Sequence, residues 1–224
     1  MRINILAGGP TEFWPDDIFE QEGQWLGADR GAWYLMQAGM DFQTVVGDFD
    51  SLTKEEFEAV ISHLEANHVY RFPPEKDFTD TQLAIKAAAS LGADEIRIYG
   101  ATGGRLDHLL ANLTFPAMAG FTELAQEIDL PDLVERVALV DKQNVVSYLL
   151  PGQKVVKHID GMKYLGFMPL GLVDNLKIID AKYTLTQPES KAIMWSSNEF
   201  INELVHLSFD SGIMIVTQSK DGGK

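Results

Sequence analysis

Cysteine is absent from the 224 residues. Its absence excludes a disulfide framework and thiolate chemistry, and fits a reducing compartment. Long apolar runs are missing as well. No uninterrupted stretch approaches the ~18 residues that a membrane helix needs. The apolar run in "MRINILAGG" is too short for a secretory signal. The expectation is a cytoplasmic protein that does not enter a membrane. Basic residues are scarce: Lys and Arg number 18 against 33 Asp and Glu, for a formal charge of −15. Such a balance argues against a broad nucleic-acid surface. Much of the acid serves solubility, but solubility does not explain where the aspartates sit.

What is present falls into two styles. Over roughly the first 135 residues, strand-like runs alternate with helix-like segments. "INILAGG", "QWLGAD", "FQTVVGD", "HVYRFP" and "EIRIYGA" read as strands. "RGAWYLMQAGM", closed by Gly39, reads as a helix. "LTKEEFEAVISHLEAN" places Phe57, Val60, Ile61 and Leu64 at helical spacing, with Asn67 at its end. "DFTDTQLAIKAAASLGA" is an Ala-rich helix stopped by Gly92, and "RLDHLLANLTF" opens another. Repeated alternation implies an α/β domain, a parallel sheet with flanking helices. From about residue 136 the runs shorten and turn residues recur, as in "VVSYLLPGQ", "NLKIIDAKYTL" and "IMIVTQS". That pattern predicts an all-β sandwich. The expected domains are therefore 1–135, α/β, and 136–224, β-sandwich, with 121–135 a helical connector.

Ligands of parallel sheets bind beyond the carboxyl ends of the strands, and the acids gather at those ends. Asp29 follows the second strand and Asp48 and Asp50 the third. Asp77 and Asp80 precede the helix after the fourth, and Asp107 opens the helix after the fifth. A pair spaced i, i+2 in extended chain points both side chains one way, so Asp48 and Asp50 in "VVGDFDS" suit a shared Mg²⁺. Each acid has a structural alternative. Asp77 is a good helix N-cap with Asp80 at N3, Asp29 shapes a turn, and "GDFDS" suits an Asx turn. "GATGGRLDH" is a glycine-rich turn into a helix, where free N–H groups attract anions and Arg105 can bind phosphate bidentately. Neither G-x-x-x-x-G-K-[ST] nor G-x-G-x-x-G occurs, so a P-loop NTPase and a standard dinucleotide fold are excluded.

"ILAGG", "GADRGA", "GDFDS", "KDFTDTQLA", "GATGGRLDH" and "SSNEF" follow one another as they do in thiamine pyrophosphokinases, and the chain resembles that family over essentially its whole length. The resemblance implies a homodimer that transfers a diphosphate from ATP to thiamine. Asp48, Asp50 and Asp80 resemble its magnesium and catalytic carboxylates. Asp29, Gly31, Asp77, Thr79, Gln82, Gly104, Arg105, Asp107 and His108 fall in its nucleotide and substrate motifs. Ser197 and Asn198 match its thiamine motif, with Trp195 and Phe200 beside them. Thiamine would sit at the dimer interface against the partner's β-domain.

The chemistry fits these residues. Phosphoryl centres need positioning and charge neutralisation more than covalent catalysis. Asp107 or Asp80 would orient or deprotonate the thiamine hydroxyl. His108 suits phosphate binding or helix packing. A thiazolium cation stacks on Trp195 or Phe200, with core burial as the alternative. Trp14, Trp25 and Trp33 are assigned to packing. Two other readings use the same residues. Asp-x-Asp at a strand end also serves nucleotidyl- or glycosyltransferases, and a non-catalytic module would bind thiamine or a nucleotide without turnover.

Overall fold

A computed structural model describes residues 1–64, 69–71, 78–191 and 193–222. Asn67 and Asp77 lie outside the described residues. The first part of the chain runs β1 (Arg2–Leu6), β2 (Gln24–Ala28), α1 (Arg30–Gln37), β3 (Phe42–Gly47), α2 (Lys54–Ser62), β4 (Val69–Arg71), α3 (Asp80–Ser90), β5 (Glu95–Tyr99), α4 (Leu106–Thr114) and α5 (Ala119–Glu127). Nine described strands follow as β6 (Val137–Val140), β7 (Asn144–Leu149), β8 (Gly152–Lys157), β9 (Tyr164–Pro169), β10 (Val173–Ile178), β11 (Leu185–Ser190), β12 (Trp195–Glu199), β13 (Leu204–Phe209) and β14 (Met214–Ser219).

Local chemistry explains the helix ends. Thr53 caps α2 and Thr79 caps α3, each in a reciprocal box with Glu56 or Gln82, which satisfies two orphan donors per helix. Gly39 takes φ +66° just past α1, a left-handed stop that costs glycine nothing. The expected cap of α3 is corrected. Thr79, not Asp77, caps it, and Asp80 is the first helical residue rather than the third.

The expected fold class holds. Strands β4, β3, β2, β1, β5 and β6 pair in parallel. From β6 the same sheet continues antiparallel through β7, β14, β9 and β12, so ten described strands form one mixed sheet. A second antiparallel sheet, β11-β10-β13-β8, covers its far end as a sandwich. One core packs α3 and α5 on the sheet face that carries Ile3, Ile5, Ile96 and Ile98. A second core, on the opposite face, packs α1 and α2 with Leu6, Trp14, Trp25 and Tyr99. The third fills the sandwich. Strand β14 joins two of them: Met214 and Val216 enter the sandwich while Ile215 joins the α3 side. Burial on both faces is why "MIV" reads as an unbroken apolar run. Trp14 and Trp25 are buried and Trp33 packs against the second core.

Candidate active site

Chain order sets where a ligand can sit. From β1 the chain moves to β2, β3 and β4, then crosses to the opposite flank of β1 for β5 and β6. The switch point lies between β1 and β5, and open α/β sheets bind ligands beyond the strand ends there. Strands β5, β1, β2 and β3 are consecutive neighbours, so the loops that follow them stand side by side over roughly 14 Å. Two close approaches lock this row. Gly9 N–H donates to the Gly100 carbonyl at 2.8 Å, and a Cβ on Gly9 would lie 2.2 Å from that oxygen. A Cβ on Gly31 would lie 1.8 Å from the Leu6 carbonyl oxygen, so Gly31 is what lets α1 start directly over the end of β1.

Three carboxylates converge beyond β2 and β3. Asp29, Asp48 and Asp50 each offer an oxygen within 4.8 Å of the others. The route to this arrangement differs from the expected extended pair. Asp50 N–H donates to Asp48 Oδ1 at 3.1 Å, closing an Asx turn. Phe49 between them takes φ +62°, a conformation that bulky L-residues disfavour. Its ring is buried and meets Phe57 at 5.2 Å, which holds the backbone there. Asp29 sits at the N-cap of α1 with φ +49° but makes no side-chain cap bond. Its backbone N–H donates to the Val46 carbonyl at 2.8 Å, which fixes it beside β3.

The electrostatics at Asp29 ask for a cation. Burial pushes its carboxyl above the usual range; the Ser51 side chain, by hydrogen bonding, pulls the other way, and Asp80 and Asp48 add to the rise. Its Oδ1 is buried with no hydrogen-bond partner, a costly state for a carboxylate oxygen. Asp80 stands next to this group. Its Oδ1 lies 3.3 Å from where a Cβ on Gly47 would be, so a glycine there leaves room for the carboxylate.

The other expected residues fall in three places. Thr79 and Gln82 form the capping box of α3, and Gln82 is buried with its Nε2 on the Met118 sulfur at 3.2 Å. Arg105 and Asp107 pair on the exposed turn into α4. The Arg105 hydrogen bond holds the Asp107 carboxyl below the usual range. Gly104 is exposed on the same turn, and His108 is exposed on α4, so His108 is not a packing residue.

On β12, a bulge separates Trp195 from Asn198, and Ser197 takes φ +59° within it. Asn198 is buried. Its Oδ1 accepts from the Tyr183 and Glu199 N–H groups at 2.9 Å each, and its Nδ2 donates to the Tyr183 carbonyl at 2.8 Å. Trp195 and Phe200 lean on the sandwich core. Ser197 lines a surface cleft of about 380 Å³ together with Tyr164, Ser196, Thr217 and Ser219. Within the sheet, β12 and β3 are eight strand spacings apart, roughly 38 Å.

Sequence reasoning passed over Arg30. Its Nη1 donates to the Ser51 carbonyl at 2.6 Å and its Nη2 to Glu56 Oε1 at 3.3 Å. A signal was available: a cation in the first turn of a helix opposes the helix dipole, which marks a residue kept there for another reason.

Two family models match the chain: "Thiamin pyrophosphokinase, catalytic domain" over residues 16–125, and "Thiamin pyrophosphokinase, vitamin B1 binding domain" over residues 153–214. The thiamine pyrophosphokinase of Bacillus subtilis (strain 168) is 33% identical over 224 residues, covering 98% of this chain and 99% of its own. The crystal structure of a thiamin pyrophosphokinase family protein from Enterococcus faecalis is 38% identical with a TM-score of 0.85, covering 99% of this chain and 100% of its own. A crystal structure of a protein from Lactobacillus plantarum is 41% identical with a TM-score of 0.87, at the same coverage.

Proposed function

The chain belongs to the thiamin pyrophosphokinase family, and from that premise we infer how its own residues divide the reaction. It is a transferase whose substrates are thiamine and ATP. The thiamine hydroxyl oxygen attacks the β-phosphorus of ATP, the bond from that phosphorus to the bridging oxygen of the α-phosphate breaks, and thiamine diphosphate and AMP result.

The observation that carries the site assignment is the buried, unpartnered Asp29 Oδ1 beside Asp48 and Asp50. An all-oxygen donor set with surplus negative charge fits Mg²⁺. Asp29, Asp48 and Asp50 would hold it, with Asp80 at its margin; Asp29 thus joins the expected carboxylates. When bound, Mg²⁺ neutralises charge on the phosphate oxygens. Arg105 turns its planar fork from Asp107 to the phosphates. Asp80 receives the proton of the attacking hydroxyl, and Asp107 positions Arg105. Thr79, Gln82, Gly31 and Gly104 shape the walls of the nucleotide site. Asp77 is assigned there with them.

Ser197 and the neighbouring Trp195 and Phe200 receive thiamine, on a strand positioned by Asn198. A separation of roughly 38 Å between β12 and β3 is too long for one small substrate to bridge within a chain. We therefore assign a homodimer in which each subunit lends its β12 region to the acid cluster of the other. Residues 1–135 act as the catalytic part and 136–224 as the thiamine-binding and dimerising part. No helix among the described residues is long and apolar enough to cross a membrane. The cysteine-free composition supports a cytoplasmic enzyme.

Incubation with thiamine, ATP and Mg²⁺ tests the assignment. Equal amounts of thiamine diphosphate and AMP are expected, with none when Mg²⁺ is chelated. Turnover that survives chelation would remove the metal from the reading.

A further inference from the structure

We infer that Arg30 is a positioning residue: its guanidinium clamps the turn that carries Asp48 and Asp50 and so sets the spacing of the three carboxylates. The inference rests on the reading of Asp29, Asp48 and Asp50 as a cation site.

Arg30 is the first residue of α1, where its charge opposes the helix dipole. Three contacts explain why it stays. Nη1 donates to the Ser51 carbonyl at 2.6 Å and Nη2 to Glu56 Oε1 at 3.3 Å, and the guanidinium lies 5.7 Å from the Tyr34 ring centroid. Glu56 is itself fixed, since its Oε2 accepts the Thr53 N–H at 2.8 Å and its own N–H donates to Thr53 Oγ1 at 3.2 Å. One side chain therefore ties the start of α1, the acidic turn and the start of α2 together. Ser51, next to Asp50, is the point where the clamp grips the acidic turn, its carbonyl accepting from Arg30.

The turn needs such a clamp. Phe49 sits at φ +62°, a strained conformation that persists only where the surroundings enforce it. Three carboxylates within 4.8 Å also repel, and the repulsion would open the turn before a cation arrives. Arg30 spends two of its donor groups on protein acceptors, which suits a brace better than a phosphate ligand. Lysine could replace it only in part, because an ammonium keeps the charge but has no planar fork to span Ser51 and Glu56.

The test compares Arg30→Gln and Arg30→Lys with the wild-type protein. Mn²⁺ binding is followed by electron paramagnetic resonance without nucleotide, and amide hydrogen exchange is read over residues 48–53. Arg30→Gln should weaken Mn²⁺ binding about tenfold, the usual effect of losing a group that orients metal ligands. Exchange should quicken at the Asp50 and Leu52 amides while α3 and β5 stay protected. The KM for thiamine should not move, and Arg30→Lys should recover part of the Mn²⁺ affinity. Unchanged Mn²⁺ affinity and unchanged exchange, with a raised KM for ATP, would overturn the clamp and make Arg30 a phosphate ligand. Faster exchange throughout α1 and α2, without a change in Mn²⁺ affinity, would reduce it to a general structural residue. If the wild-type protein binds no Mn²⁺, the cation-site reading falls. The exchange at Asp50 and Leu52 then decides the clamp alone: faster in Arg30→Gln upholds it, unchanged overturns it.

Discussion

Arg105 and Asp107 grip each other across a single turn, Nε to Oδ1 at 3.1 Å and Nη2 to Oδ2 at 2.5 Å. Phosphate can take the Nε–Nη2 edge of that guanidinium only by displacing the carboxylate. While that pair holds, the Asp107 carboxyl lies below its usual range and is a poor proton acceptor near neutral pH. Asp107→Asn should therefore keep kcat within about tenfold of wild type, because only positioning is lost. A fall of a hundredfold or more in steady-state kcat would make Asp107 the base. Arg105→Lys keeps the charge but not the fork, and should raise the KM for ATP about tenfold with little change for thiamine.

Asp48→Asn and Asp50→Asn should each lower kcat by about a hundredfold or more, as expected when charge stabilisation at a phosphoryl centre is removed. The fold should survive. Asn keeps the Oδ1 that accepts the Asp50 N–H, and each change relieves repulsion within the cluster. Circular dichroism and metal-free melting should match or exceed wild type. Near wild-type turnover in both variants would remove these residues from the site.

Gly31→Ala is expected to destabilise the whole domain rather than weaken ATP alone. Its Cβ would lie 1.8 Å from a backbone carbonyl, so α1 must shift, at a cost of about 2–3 kcal/mol. Urea unfolding measures the loss. Wild-type stability with a raised KM for ATP would show that Gly31 acts through ligand contact instead.

Glu95 sets part of the acid limit of stability. Burial pushes its carboxyl up, but hydrogen bonds and charge from Arg2 and Arg97 outweigh burial and bring it below the ordinary glutamate value of 4.5. A carboxyl lowered in the folded state stabilises fully above its unfolded pKa, and loses that contribution as pH falls through the folded value. Glu95→Gln should therefore cost about 0.5–1 kcal/mol at pH 7 after solvent screening. The difference from wild type should shrink below pH 4.5. A difference that stays constant down to pH 3 in urea titrations would contradict the assignment.

Shared sites can be tested by mixing inactive chains. Asp48→Asn removes one half of a site. Ser197→Lys sets bulk and positive charge against the thiazolium, at an exposed position that tolerates the change. After subunit exchange, each mixed dimer of the shared design holds one intact site, and random pairing restores roughly a quarter of wild-type activity. No recovery, with mixed dimers demonstrated, would mean that each chain completes its own site.

The features legible before the structure were local ones. Alternating periodicity carried the α/β and β-sandwich parts, because burial on one face writes its period directly into the chain. Loops after β2 and β3 could be read as acidic, and those after β1 and β5 as glycine-rich, since turn chemistry needs only near neighbours. Local rules also misled: Asp77 and Thr79 are both good caps, and only the backbone dihedrals of the built helix chose Thr79.

Sequence by itself determined the strand periods and the placing of acids at strand ends, both of which depend on residues within a turn of one another. Tertiary structure decided the rest. Strand β1 lies between β2 and β5, although β5 lies far along the chain, and that pairing creates the switch point. Asp29 meets Asp48 and Asp50 because β2 and β3 are neighbours and Phe49 is anchored in the core. Asn198 is tied to Tyr183, fifteen residues away, through a bulged strand. Each of these relationships follows from strand pairing and burial across long separations, which no local window of residues encodes.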